Sequence, residues 1–269
     1  MPQQTYLLAG FMLAVIAATP AFGAEPQGND DLTVVWGTAV NYKAVSFEVG
    51  RKKFDPTYVT LDLALTMAYR GFYLGGNYDV SLKDFVTINN TPNGGGGFDN
   101  SVITFSREDL AATFGYNVWS AMNVFAGYRQ GKTAAISSSD LTGPIPDPAR
   151  NSDIVFLTKG PFIGTSYGFA MGKRGTLLLS AAYAAMSGDV TFLDYLADGT
   201  RRSNNVQGPA NGYSVGLGWT GPLEGSLVYT VAYKYSKYSF DQDNTTNPSD
   251  DFSFDEVHSV ITLSMQKYF

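Results

Sequence analysis

The chain has 269 residues, of which 29 are glycine, 17 tyrosine and 18 phenylalanine, and it contains no cysteine. Only 16% of residues are charged and the formal net charge is −6, which excludes a disordered polyelectrolyte and argues against a nucleic-acid-binding protein. Without cysteine, the chain has no disulfide, thiol nucleophile or cysteine-ligated metal.

Residues 1–23 have the pattern of an export signal. Residues 5–22 carry no charge, 7–18 form an apolar run, and Ala21 and Gly23 fit a cleavage site with small residues. No lysine or arginine precedes the run, so an uncleaved anchor helix is the alternative, but a membrane-spanning helix needs about 20 apolar residues. We expect 1–23 to be a cleaved signal peptide and 24–269 to form a single domain.

From residue 33 onward, apolar residues alternate with polar or small ones at a period of two, which predicts strands with two different faces. Residues 33–50 predict one long strand, with a slip of parity near Lys43 and Ala44 that indicates a bulge before Val45. In 58–69 every odd position is Val, Leu, Met or Tyr, and the parity switches at Arg70 and Gly71, which indicates a tight turn.

The same alternation recurs to the end of the chain and predicts ten strands, with eight or twelve as alternatives. Further alternating segments are 71–83, 110–116, 122–128, 162–170, 177–184, 212–219, 227–236 and 257–269, and 102–107 is a less regular candidate.

Short and long connections alternate between these strands. The short ones are 70–71, 118–121, 172–175 and 221–225, and the long ones are 84–102, 132–155, 188–209 and 241–253. Short turns at one end and long loops at the other are typical of bacterial outer-membrane barrels, where the long loops are extracellular. The final strand also alternates and ends on Phe269.

With these features the chain resembles the bacterial outer-membrane β-barrel proteins. The resemblance implies a closed antiparallel transmembrane β-barrel located in the bacterial outer membrane. It also implies that Phe269 belongs to the signal recognised by the barrel-assembly machinery. Lys267 departs from the family's usual ending, since an aromatic or apolar residue is expected two positions before the end.

If the apolar parity faces lipid, the other face lines the lumen of the barrel. Barrels of eight to ten strands are mostly filled by side chains, and buried charges must be paired, so we expect a polar plug. Small residues in 162–170, 177–184 and 212–219 would leave room for longer polar side chains opposite. The predicted lumen cluster comprises Glu48, Asp62, Asn77, Asp79, Arg129, Lys234 and His258.

These observations favour a structural, surface-interaction or small-solute role without enzymatic activity, cofactor or metal. A narrow porin-like channel is the alternative. A second alternative is a hydrolase of peptides or lipids acting through His258, the only imidazole, although Ser259 lies on the opposite face of its strand. Expected partners are outer-membrane lipids and lipopolysaccharide, the assembly machinery, and an extracellular ligand that the acidic stretch 241–256 could attract.

Deletion of Phe269 tests the role that the resemblance gives to the last residue. We expect the deletion to reduce insertion, and therefore to reduce the heat-modifiable band of folded barrel in outer-membrane fractions on an unheated gel. Recovery of that band at the wild-type level would contradict the expectation.

Overall fold

The computed structural model describes residues 32–49, 52–82, 85–92, 98–139, 152–195, 201–242 and 252–269. The expected signal peptide, the glycine-rich stretch 93–97 and residues 243–251 of the acidic stretch 241–256 lie outside them. The described chain is one antiparallel sheet. Its strands are β1 (Thr33–Val49), β2 (Lys52–Phe54), β3 (Thr57–Tyr69), β4 (Phe72–Ser81), β5 (Phe85–Pro92), β6 (Phe98–Trp119), β7 (Met122–Ser139), β8 (Ser152–Ala170), β9 (Thr176–Tyr195), β10 (Arg201–Pro222), β11 (Leu227–Gln242) and β12 (Phe252–Tyr268).

The sheet closes because β1 pairs with β12 along nearly its whole length, from Val35 opposite Tyr268 to Val49 opposite Phe254. β2 and β3 lie end to end beside β1, while β4 and β5 lie end to end beside β6. The barrel wall therefore has ten strand positions in the order β12, β1, β3, β4, β6, β7, β8, β9, β10, β11. This confirms the prediction of a closed antiparallel ten-stranded barrel over the alternatives of eight and twelve.

One end of the barrel carries the tight turns, as the sequence predicts, and we call it the turn end. It includes Arg70 with Gly71, a 3-10 turn at Gly172–Arg174, and residues 223–226. At the other end, which we call the loop end, the strands extend into part of the segments predicted as long loops, and 140–151 and 243–251 lie outside the described residues. β7 continues to Ser139, and β9 and β10 leave only 196–200 between them outside the described residues.

An apolar belt surrounds the half of the barrel next to the turn end. Its outward side chains are about half exposed, as with Trp36, Leu63, Phe114 and Leu263, each between 46% and 59%. Such a band of exposed apolar and aromatic side chains is what a barrel presents to lipid. Within the described residues, no helix is long and apolar enough to cross a membrane.

The parity slip in β1 is not a bulge. β1 pairs continuously with β12 through Lys43, Ala44 and Val45, and both Lys43 and Val45 are buried on the inner face. The apolar side chains change from the outer to the inner face at this level because β1 passes out of the belt. Toward the loop end, the apolar side chains are the ones that fill the interior.

Aromatic rings occupy the space beside inward-facing glycines, where the sequence suggested long polar side chains. A Cβ atom on Gly164 would lie 2.4 Å from the ring of Phe125, and one on Gly188 would lie 2.4 Å from the ring of Phe240. The ring of Tyr73 covers Gly115 in the same way, with its hydroxyl donating to Asn123 at 3.3 Å. The lumen therefore contains a packed core rather than polar side chains alone.

Substitution of Gly115 tests this packing. A Cβ atom there would lie 2.2 Å from Cζ of Tyr73, and the three nearest atoms all belong to that ring. We expect Gly115→Ala to lower the free energy of unfolding by about 1–3 kcal/mol, the usual range for overpacking, in urea titrations of the barrel in vesicles. In a Tyr73→Ala background the same substitution should have little effect, and an equal loss in both backgrounds would contradict the packing.

Candidate functional site

Five ionised side chains from four strands meet in the lumen, and we call them the ion network. Lys43 comes from β1, Asp79 from β4, Arg107 and Asp109 from β6, and Glu256 from β12. All five are buried and face inward, with exposed fractions of 5% or less. Arg107 and Asp109 share the inner face because they are two residues apart on one strand.

Lysine and arginine hold Asp109 from two sides. Nζ of Lys43 lies 2.7 Å from Oδ2 of Asp109 and 2.6 Å from Oδ2 of Asp79. Nε of Arg107 donates to Oδ2 of Asp109 at 2.9 Å, and Nη2 of Arg107 lies 2.9 Å from Oδ1 of the same carboxylate. The hydrogen bond from Nε and the charge contact of Nη2 together hold the guanidinium of Arg107 beside the carboxylate of Asp109.

The second half of the network crosses the lumen. Nη1 of Arg107 donates to Oε1 of Glu256 and, at 2.6 Å, to the hydroxyl of Thr133 on β7. Since β1, β3 and β4 separate β6 from β12 on one side, and five strands separate them on the other, this pair joins nearly opposite walls. The hydroxyl of Thr133 also donates to Oε1 of Glu256 at 3.2 Å, so β7 is the third strand that takes part in the junction.

A neutral layer continues the network toward the turn end. Nδ2 of Asn41 donates to Oδ2 of Asp79 at 3.1 Å, and the hydroxyl of Thr262 donates to Oδ1 of Asn41 at 2.6 Å. Nδ2 of Asn77 lies 3.1 and 3.2 Å from the two oxygens of Asp62 and donates to that carboxylate. Asp62 and Asp79 are direct neighbours on β3 and β4, and each carboxylate has its own partners, Asn77 for Asp62 and Asn41 with Lys43 for Asp79.

The structure places most of the predicted lumen cluster inside the barrel. Asp62, Asn77, Asp79, Arg129 and His258 are buried on inner faces, and Lys234 is partly buried on the inner face of β11. They do not form one site, because only Asp79 belongs to the ion network and His258 adjoins it. Glu48 lies on β1, but its side chain is not among those that the structure describes.

Four of the five residues in the ion network are absent from the sequence-based cluster. Arg107 and Asp109 lie in the part of β6 that the pattern identified least clearly, and Glu256 falls in the stretch assigned to an acidic loop. Lys43 falls at the parity slip. Extending the inner parity of β6 and β12 past the apolar belt would have found the first three.

His258 is paired with a carboxylate and not with a nucleophile. Its Nε2 lies 3.2 Å from Oε2 of Glu256, and its ring meets the ring of Tyr238 edge to face at 5.9 Å. Among the described residues, no hydroxyl is hydrogen-bonded to this imidazole. Nor does that part of the chain bring together three acidic or histidine side chains that could hold a metal ion.

Apolar side chains cover the ion network on the side of the loop end, and we call them the apolar plug. They come from seven strands, and the rings of Phe156 and Phe240 pack edge to face at 6.3 Å between β8 and β11. All are buried at 9% exposure or less. The apolar plug consists of Val45, Ile103, Phe105, Ala135, Phe156, Met186, Val190, Ala210 and Phe240.

No family model matches the chain, and no curated protein matches it. Among solved structures, the outer membrane protease OmpT from Escherichia coli superposes with a TM-score of 0.64 at 11% identity, covering 89% of this chain and 97% of that chain. The toluene transporter TodX from Pseudomonas putida gives a TM-score of 0.37 at 10% identity, covering 97% and 94%. The similarity to OmpT establishes the fold alone: the chain has the fold of bacterial outer-membrane β-barrels.

Removal of one partner from the Arg107–Glu256 pair tests the cross-lumen junction. We expect Arg107→Met to lower the free energy of unfolding by about 3–5 kcal/mol, because Glu256 would remain buried without its main counter-charge. The double variant Arg107→Met, Glu256→Leu should lose less than the sum of the single variants, measured by urea unfolding in vesicles. Additive losses would mean that the two groups do not interact.

Proposed function

We propose that this protein is a non-conducting integral outer-membrane barrel whose role is structural or surface-interacting and resides at its loop end. The observation that carries the proposal is the junction of Arg107 on β6 with Glu256 on β12, which joins nearly opposite walls of the lumen. A channel would need a continuous water-filled path at this level. The junction and its partners Lys43, Asp109 and Thr133 occupy that level instead.

The apolar plug provides a second barrier. Phe105, Val190 and Phe240 are at most 1% exposed, so the rings and methyl groups at this level are in contact with each other. An ion would have to leave its hydration shell to pass between apolar side chains, which costs many kcal/mol. The two barriers lie in series along the lumen, and this favours a filled barrel over the narrow porin-like channel.

The outer surface near the loop end supports a role outside the membrane. Beyond the apolar belt the outward positions of β7 to β10 include polar side chains, among them Lys132, Lys159, Asp189 and Gln207, with Ile136 and Leu157 between them. Nε2 of Gln207 donates to Oδ2 of Asp189 at 2.9 Å across the β9–β10 pair. Strand pairing thus continues as a more polar wall, which can present a fixed surface to an extracellular ligand.

Location and partners follow from the same proposal. The apolar belt supports contact with outer-membrane lipids, and the basic outward residues Lys132 and Lys159 just beyond it suit the phosphates of lipopolysaccharide. Insertion by the barrel-assembly machinery, with Phe269 as part of the signal, and export through residues 1–23 belong to the proposal too.

The proposal assigns no enzymatic activity. His258 is 5% exposed, and its ring contacts the ring of Tyr238 edge to face. Its Nε2 lies beside the carboxylate of Glu256, which also accepts a hydrogen bond from Arg107. A hydrolase would need a nucleophile or an activated water within hydrogen-bond reach of its base and open to substrate. The burial of His258 favours a role in holding Glu256 over general-base chemistry.

Conductance in planar bilayers tests whether the barrel is filled. Purified, refolded protein should produce no stable single-channel steps in concentrated potassium chloride. The triple variant Arg107→Ser, Phe240→Ser, Glu256→Ser should conduct, because it removes the junction and part of the apolar plug. Stable, uniform steps from the wild-type barrel would overturn the proposal in favour of a narrow channel.

The matched control replaces a side chain of similar size on the outside. Phe114→Ser lies in the apolar belt and leaves the lumen unchanged, so it should remain silent if it inserts. Insertion of each variant is verified by its heat-modifiable band before recording. Conductance from Phe114→Ser would indicate leaks from poor folding and not from the lumen.

A further inference from the structure

Arg129 occupies a different part of the lumen from the ion network and lacks a direct counter-charge. It lies on β7, is 1% exposed, and forms no ion pair with a carboxylate in the described part of the chain. Its guanidinium stacks on the ring of Tyr238, with Cζ 4.3 Å from the ring centroid. Stacking satisfies the face of the guanidinium and leaves its N–H edges free.

The free edge of Arg129 has a specific shape. Both Nε and Nη2 are buried and find no acceptor among the described residues. These two nitrogens form the side of the guanidinium that grips a carboxylate or another anion with two parallel hydrogen bonds. A buried arginine with this pair of donors unsatisfied is costly, because an unpaired charge is removed from water.

A small cavity lies against this arginine. It measures about 10 Å³ and is bounded by Arg129, Phe162 and Tyr238 on one side and by the wall of β9 and β10 on the other. That wall is built from small side chains, with Gly212 and Ser214 on β10. The volume admits one particle about the size of a water molecule or a monatomic ion.

A second cation lies on β11, four residues from the Tyr238 ring on which Arg129 stacks. Lys234 is on the inner face of β11, opposite Gly216 of β10, and has no ion pair within the described residues. Asp79 and Asp109 already pair with Lys43, and Asp109 also pairs with Arg107, so neither is an ion-pair partner of Lys234.

We propose that the lumen contains a binding site for one chloride ion, held by Nε and Nη2 of Arg129, with Lys234 as a second cation on the strand that carries Tyr238. A water molecule could accept the same two hydrogen bonds but would not offset the charge of Arg129. The volume of the cavity favours a monatomic ion over a larger oxyanion. The site goes beyond the proposed non-conducting role, since it assigns a ligand to the interior of the barrel.

Crystals of the intact barrel grown in sodium bromide provide the direct test, because bromide replaces chloride and scatters anomalously. We expect an anomalous peak within hydrogen-bond distance of Nε and Nη2 of Arg129. Density at that position without an anomalous signal would show a bound water and would overturn the proposal, as would an empty cavity. This experiment needs no variant and is decisive even if substitutions in the lumen prevent folding.

Thermal unfolding in detergent provides the test in solution. Chloride is titrated against gluconate, which is too large for the cavity, at constant ionic strength. The midpoint temperature of the wild-type barrel should rise and saturate, because a ligand that binds only the folded state stabilises it. Arg129→Gln should abolish the saturable rise and Lys234→Met should weaken it.

The matched control is Arg70→Gln. Arg70 also stacks on a tyrosine ring, with Cζ 5.1 Å from the centroid of Tyr69, but it is exposed at a turn. This variant should keep the full chloride response. An equal response in Arg129→Gln and the wild type would show that chloride acts elsewhere and would refute the site, while leaving the conductance result unaffected.

Discussion

The pairing of β1 with β12 is the constraint on which the rest of the structure depends. A sheet in lipid cannot leave an edge with unpaired N–H and C=O groups, so the first and last strands must meet. Their register, fixed from Val35 to Val49, makes the wall continuous. Once the wall is closed, every inward side chain shares a narrow enclosed space. Charges there can no longer be satisfied by bulk water, and this is why Lys43, Arg107, Asp79, Asp109 and Glu256 are tied to one another.

The barrel reverses its polarity along its axis. Next to the turn end it is apolar outside and largely polar inside, with Leu63 exposed and Asn41 buried, although the rings of Tyr73 and Phe125 pack in the same part of the lumen. Toward the loop end it resembles a soluble barrel, polar outside at Lys159 and apolar inside at Phe156. The ion network lies between these two regimes, where neither lipid nor an apolar core dictates the side chains.

The sequence predicted the strand number, the tight turns and the two faces of each strand within the apolar belt. That success has a simple cause, since lipid on one side makes the alternation strong in strands such as β3 and β12. The prediction failed where the wall leaves the belt, because the outward residues become polar while backbone pairing continues. The supposed bulge before Val45, the weak strand pattern at 102–107 and the supposed acidic loop at Glu256 are all consequences of this reversal.

The partners of the lumen residues could not be read from alternation. Parity places Asp79 and Arg129 inside the barrel, but only the closed circuit of strands determines that Asp79 meets Lys43 whereas Arg129 stacks on Tyr238. The inward-facing glycines were the one local sign of how the lumen is packed. The rings of Tyr73 and Phe125 fill the space beside Gly115 and Gly164. The sequence alone does not show that these rings and glycines lie on neighbouring strands.

The length of β6 and β10 has a consequence for where the protein meets its surroundings. Each has 22 residues, which at about 3.3 Å per residue and a tilt of about 40° rise roughly 55 Å along the barrel axis. The hydrocarbon-facing band of such barrels is about 25 Å tall. About half of the length of these strands therefore extends beyond such a band as paired sheet. A flexible loop of the same length could fold back on the membrane surface, whereas a paired wall keeps its far edge at a fixed height.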